Sequence, residues 1–177
     1  MFLALGLILP LFTGQVPYIG KMLLPMHIPV LLCGLICGPI CGFIVGFIVP
    51  ILRTVIFGMP VMFPTAIAMM FELAAYGGIV GLLYDRSKWK CIKSLYRCML
   101  TAMISGRVVW GIVMVILMGM SGNAFTVKAF FVGAFFNAVP GIIVQLTIIP
   151  AIMIALNREK LIPFTNRTVD EDNAYVK

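Results

Sequence analysis

The stretch "LLPMHIPVLLCGLICGPICGFIVGFIVPILR", Leu23 to Arg53, decides how the rest of the chain must fold. Gly34, Gly38, Gly42 and Gly46 fall four residues apart in an otherwise almost wholly apolar background. A small residue at every fourth position lays a groove along one helix face, so that a neighbouring helix can approach closely in lipid, where tight packing replaces the hydrophobic drive. Pro39 interrupts the run by removing a backbone donor and clashing with the preceding turn. Two short antiparallel spans joined across Cys37 to Cys41 are therefore expected, the alternative being one Pro-kinked helix.

Composition agrees with a membrane setting. The 177-residue chain is 62% hydrophobic and 11% charged, against about 45–50% and about 25% in soluble domains. At about 20 residues per span, it has room for five or six helices and no sizeable extramembrane domain. The net charge of +7 does not suggest nucleic acid, because it is placed as loops facing the cytoplasm are. Arg86, Lys88, Lys90, Lys93 and Arg97 lie close together, and Arg158 and Lys160 follow the last apolar run. The opposite loops offer only Lys21 and Lys128. Excess Lys and Arg keeps a loop inside, so both termini are expected in the cytoplasm. The expected fold is all-α, a compact bundle of six transmembrane helices over residues 1–160 with a polar tail over 161–177. The first run, Phe2 to Phe12, rises only about 16 Å and is expected to be a half-span or a helix whose start lies further upstream. The later spans are expected at His27 to Gly38, Ile40 to Gly58, Thr65 to Tyr84, Leu95 to Gly119 and Val127 to Leu156. Cys33, Cys37, Cys41, Cys91 and Cys98 fall in membrane or on the reducing side and are expected as small packing residues, with no metal site and no cofactor.

Charged groups in a span are costly and tend to mark function. Counting about 1.5 Å per residue from the outer helix ends places Arg53 roughly 8 Å deep, Glu72 roughly 12 Å, Asn137 roughly 14 Å and Arg107 roughly 18 Å. Four polar groups from four spans thus share the outer half of the membrane, which suggests a cavity open to the outside. Glu72 shares a helix face with Thr65 and Tyr76; Arg107 with Met103, Trp110 and Met114; Asn137 with Phe130, Gly133 and Gly141. Arg53, Glu72, Arg107 and Asn137 are the candidate ligand contacts, with Trp110 and His27 beside them and His27 expected over the mouth. Glu72 pairing with an arginine as a structural strut remains the competing explanation. Two arginines outnumber one carboxylate, so an anionic ligand group would supply the missing partner. Gln145, deeper in the sixth span, is expected to hold helices together. Gly119-Met120-Ser121-Gly122 matches an intramembrane serine-protease motif, but the sole histidine, His27, is far upstream of where a base is needed. No paired base and nucleophile is present, which argues against an enzyme.

The stretch opening this section, followed by "FGMPVMFPTAIAMMFELAAYG", resembles the substrate-binding S component of energy-coupling factor (ECF) vitamin transporters, most closely the pantothenate-type subgroup. The resemblance runs from about Ala4 to Leu156 and is most specific in Leu23 to Gly77. It implies a six-helix subunit of the plasma membrane that binds a vitamin on its outer side, performs no chemistry, and relies on a transmembrane coupling protein and two ATPases. It also implies a small-residue docking pattern, Ala-x-x-x-Ala, on the first helix; Ala4 fits it, but the bulky Ile8 follows four residues later. A stand-alone secondary carrier or channel is the alternative function.

Overall fold

The computed structural model describes residues 1–12, 25–58, 60–87, 91–120 and 139–158. These residues are all-helical: α1 Phe2–Phe12, α2 His27–Cys37, α3 Pro39–Phe57, α4 Ile67–Arg86, α5 Ile92–Met120 and α6 Val139–Arg158. A wide turn, Met62–Ala66, leads directly into α4. Four segments are long and apolar enough to cross a membrane, namely α3, Met62–Arg86, α5 and α6. With 11 residues each, α1 and α2 rise about 16 Å, roughly half the hydrocarbon core. The twelve residues expected to open the last span, 127–138, lie outside the described residues, as do Lys21, Lys128 and the tail.

The break at Pro39 is sharp. Gly38 alone connects α2 to α3, with φ 89° and ψ 175°, a region of backbone space essentially reserved for glycine. Pro39 then opens α3, where a missing N–H costs nothing. The far end of α3 stops at Gly58, which is left-handed (φ 69°) and donates its N–H to the Thr54 carbonyl at 2.9 Å. The single kinked helix is thereby excluded.

The glycine stripe is divided between two tasks. Gly34, Gly42 and Gly46 press against α4: a Cβ on Gly42 would lie 2.6 Å from both Gly34 Cα and the Gly77 carbonyl oxygen, and one on Gly46 would strike the Leu73 carbonyl. A Cβ on Gly38 would meet nothing within 4 Å among the described residues, so this glycine serves the turn and not the packing groove, a correction to the expectation that all four share it. The periodicity is interrupted because the helix is. The matching surface on α4 is Gly77 and Gly81, whose Cβ positions are occupied by the Gly42 and Gly34 carbonyls respectively. These contacts fix directions: Gly46, Gly42 and Pro39 meet Leu73, Gly77 and Gly81 in turn, so α3 runs antiparallel to α4 and α2 parallel to it.

Buried apolar side chains then tie the bundle together. Val30, Val49 and Leu73 join α2, α3 and α4, while Leu31, Val80, Met99 and Ile149 join α2, α4, α5 and α6. The opposite face of α5 exposes Leu100, Ile104, Val108, Ile112 and Val115, an apolar stripe at helical spacing that suits lipid contact. Since α2 has 11 residues and α3 has 19 from the same Gly38 turn, α3 extends about 12 Å past the level of His27.

Candidate functional site

Three polar side chains from three helices meet at one carboxylate oxygen. Glu72 lies on the buried face of α4, five residues after Ile67 opens the regular helix. Tyr76, one turn on, donates its hydroxyl to Glu72 Oε1 at 3.1 Å. Arg107, midway along α5, places Nη1 2.9 Å from the same oxygen. His27, the first residue of α2, sets Nε2 3.7 Å from it, and its ring meets Tyr76 edge-on with centroids 5.0 Å apart. The neighbouring glycine makes room: a Cβ on Gly106 would lie 2.8 Å from the Tyr76 ring.

All of this is withdrawn from water. Glu72 is 2% exposed, His27 1% and Arg107 6%. An ion pair at such depth is held by geometry, since each charge loses its hydration and depends on the other. The pairing leaves a surplus of donors. Arg107 Nε and Nη2 and both ring nitrogens of His27 have no hydrogen-bond partner among the described residues. Buried polar groups are ordinarily satisfied, which sets these donors apart from the apolar core around them.

Of the expected contacts, Glu72, Arg107 and His27 come together. His27 is not over a mouth, as expected, but at the centre of the cluster, because α2 is short and begins level with Glu72. Arg53 stands apart: it is half-buried, in the part of α3 that extends past His27, and Glu72 pairs with Arg107 and His27 instead. Trp110, half-buried, lies one turn beyond Arg107 on α5. Asn137 lies outside the described residues. Tyr76 lies on the face that its spacing predicts, and its bond to Glu72 is a further feature for which the i, i+4 relation is the sequence signal. Gln145 is buried, with no hydrogen-bond partner for its Nε2 among the described residues. Ala4 is exposed on α1, and Gly6, not Ala4, packs against Val49 of α3.

The family model described as ECF transporter, substrate-specific component, matches residues 1–153. The chain belongs to this family. Neither the curated proteins nor the solved structures gave a match. S components are substrate-binding membrane subunits of transporters rather than enzymes, and they work with a coupling protein and ATPases. In this S component the buried cluster of α2, α4 and α5 accordingly belongs to a protein whose task is to hold a small molecule, with no bond to be broken.

Proposed function

We propose that this S component is the high-affinity binding subunit of an ECF-type vitamin importer in a bacterial-type plasma membrane, with pantothenate as its substrate. The substrate occupies an outward-facing pocket floored by His27, Glu72 and Arg107 and flanked by Arg53, Trp110 and Asn137. Six spans over residues 1–160 place both termini in the cytoplasm, where a transmembrane coupling protein and two ATPases supply the energy. One observation carries the site: a guanidinium withdrawn from water whose Nε and Nη2 have no partner among the described residues. Pantothenate fits because its carboxylate is the kind of group such donors recognise.

Calorimetric titration of the purified chain with pantothenate tests this. Arg107→Ala is expected to weaken binding by about 100-fold or more, the scale of a lost buried charge-assisted contact, while the variant still elutes as a monodisperse species. Undiminished affinity in Arg107→Ala would remove the cluster from the site.

A further inference from the structure

One member of the cluster carries a hydroxyl that the proposed pocket does not use. Tyr76 is buried, and its only O–H goes to Glu72 Oε1 at 3.1 Å, so it has no proton left to offer a ligand. Its ring is held on two sides. On α5, a Cβ at Gly106 would lie 2.8 Å from Cε1, 2.9 Å from Cδ1 and 3.0 Å from Cζ, so the ring fills the place of a side chain there. On α2, the His27 ring meets it edge-on at 64°. A tyrosine side chain turns about two bonds only, and a boxed ring fixes both. The phenol oxygen therefore stands at one point.

Glu72 is the opposite case. Its longer side chain has more freedom to turn, and its Oε1 is approached by Arg107 Nη1 at 2.9 Å and His27 Nε2 at 3.7 Å, both carried by other helices. The hydroxyl reaches that oxygen from α4 itself, four residues on, and so ties it to the helix that bears it. Arg107 leaves Nε and Nη2 with no hydrogen-bond partner among the described residues. A guanidinium is a rigid plane, so the point at which Nη1 is anchored decides where the edge formed by Nε and Nη2 lies. Gly106 and Arg107 are adjacent in the chain, so the turn of α5 that presents the guanidinium also makes the slot for the phenol. Control runs from Gly106 to the phenol, then to Oε1, and then to the free edge.

On the footing that this cluster is the ligand site, we propose that Tyr76 is a positioning residue: its hydroxyl, aimed by the slot at Gly106, fixes the Glu72 oxygen that anchors Arg107, and thereby orients the guanidinium edge that meets the ligand. Packing alone needs only the ring, which phenylalanine supplies. The hydroxyl separates the two roles, since removing it leaves the core filled and Oε1 one donor short.

Nitrogen NMR spectra of the isotope-labelled full-length protein in detergent test this before any ligand is added. The Arg107 guanidinium signals, identified by their loss in Arg107→Lys, are expected to be sharp and resolved for Nη1 and Nη2 in the native chain. Tyr76→Phe is expected to broaden or merge them. Gly106→Ala, which displaces the ring and keeps every polar group, is expected to do the same. Calorimetric titration with pantothenate is the second readout. Tyr76→Phe is expected to weaken binding about tenfold, the scale of one lost hydrogen bond to a charged group. In an Arg107→Lys background the same substitution is expected to cost nothing further, because an ammonium has no edge to aim. Merged signals in the native chain, signals unchanged by Tyr76→Phe, or a loss of affinity that recurs in the lysine background overturn the inference and leave the binding role intact. If the native chain binds no pantothenate, the substrate assignment falls and the spectra alone decide the role of Tyr76. They decide as well if Arg107→Lys binds too weakly to titrate, and Gly106→Ala stands in should Tyr76→Phe not fold.

Discussion

At the residue scale, Glu72 is the point on which the buried polar groups depend. Its Oε1 receives the Arg107 guanidinium and the Tyr76 hydroxyl and attracts His27. Removing one member of a buried ion pair strands the other, at a cost of about 3–5 kcal/mol, whereas replacing both with apolar residues of similar volume is close to neutral. Glu72→Leu and Arg107→Met are each expected to lower the midpoint of thermal unfolding in detergent by several degrees. The double substitution is expected to recover most of that loss while binding stays abolished. A double variant as unstable as the worse single one would show that the pair does not act as a unit. The cluster was half legible in the sequence. Rare charges in apolar runs, at matched depths, pointed to Glu72 and Arg107, because the cost of burying charge is independent of the details of packing. The place of His27 was not legible, since it depends on how far α2 extends, and that is set by contacts with α4 that no periodicity records.

At the element scale, the short connection and the close approach of α2 and α3 to α4 both depend on glycine, for different reasons. Gly38→Ala is expected to destabilise by about 1–3 kcal/mol through backbone strain, although a methyl group there meets nothing within 4 Å. Gly77→Val should be worse, because the Gly42 backbone already occupies the space a side chain needs; loss of the folded monodisperse form is expected on size-exclusion chromatography. Gly119→Ala is the contrast, a helical glycine of α5 at which an added Cβ meets none of the described residues within 4 Å, and is expected to leave the unfolding midpoint unchanged or raise it slightly. Equal effects at all three positions would mean that helix propensity and not close approach governs them. The four-residue spacing revealed that a small-residue surface exists, but not that Gly77 and Gly81 complete it, since α4 has glycine at 77, 78 and 81 without a single unbroken period.

At the scale of the whole molecule, the charged ends and the exposed apolar faces set how the chain sits in a bilayer. Gly38, at one end of α3, lies at the same end of the bundle as the α4–α5 turn, because Pro39 meets Gly81. Exposed Arg86, Lys93 and Arg97 cluster at that end, which in the proposed topology faces the cytoplasm. Cys91, exposed at the same turn, provides the check. In a chain carrying Cys37→Ser and Cys41→Ser, which removes the other two exposed thiols of that end, a membrane-impermeant maleimide is expected to label Cys91 in inside-out vesicles and not in right-side-out ones, with the difference lost on adding Cys91→Ser. The reverse pattern would invert the proposed topology and turn the binding cluster away from the outside.

The hairpin of α2 and α3 has legs of 11 and 19 residues, so α2 begins about 12 Å below the far end of α3, and that offset sets the level of the buried imidazole. The length of α2 therefore acts as a depth gauge. Inserting one helical turn between His27 and Gly38 would carry the imidazole about 5.4 Å further along α3, out of reach of Glu72.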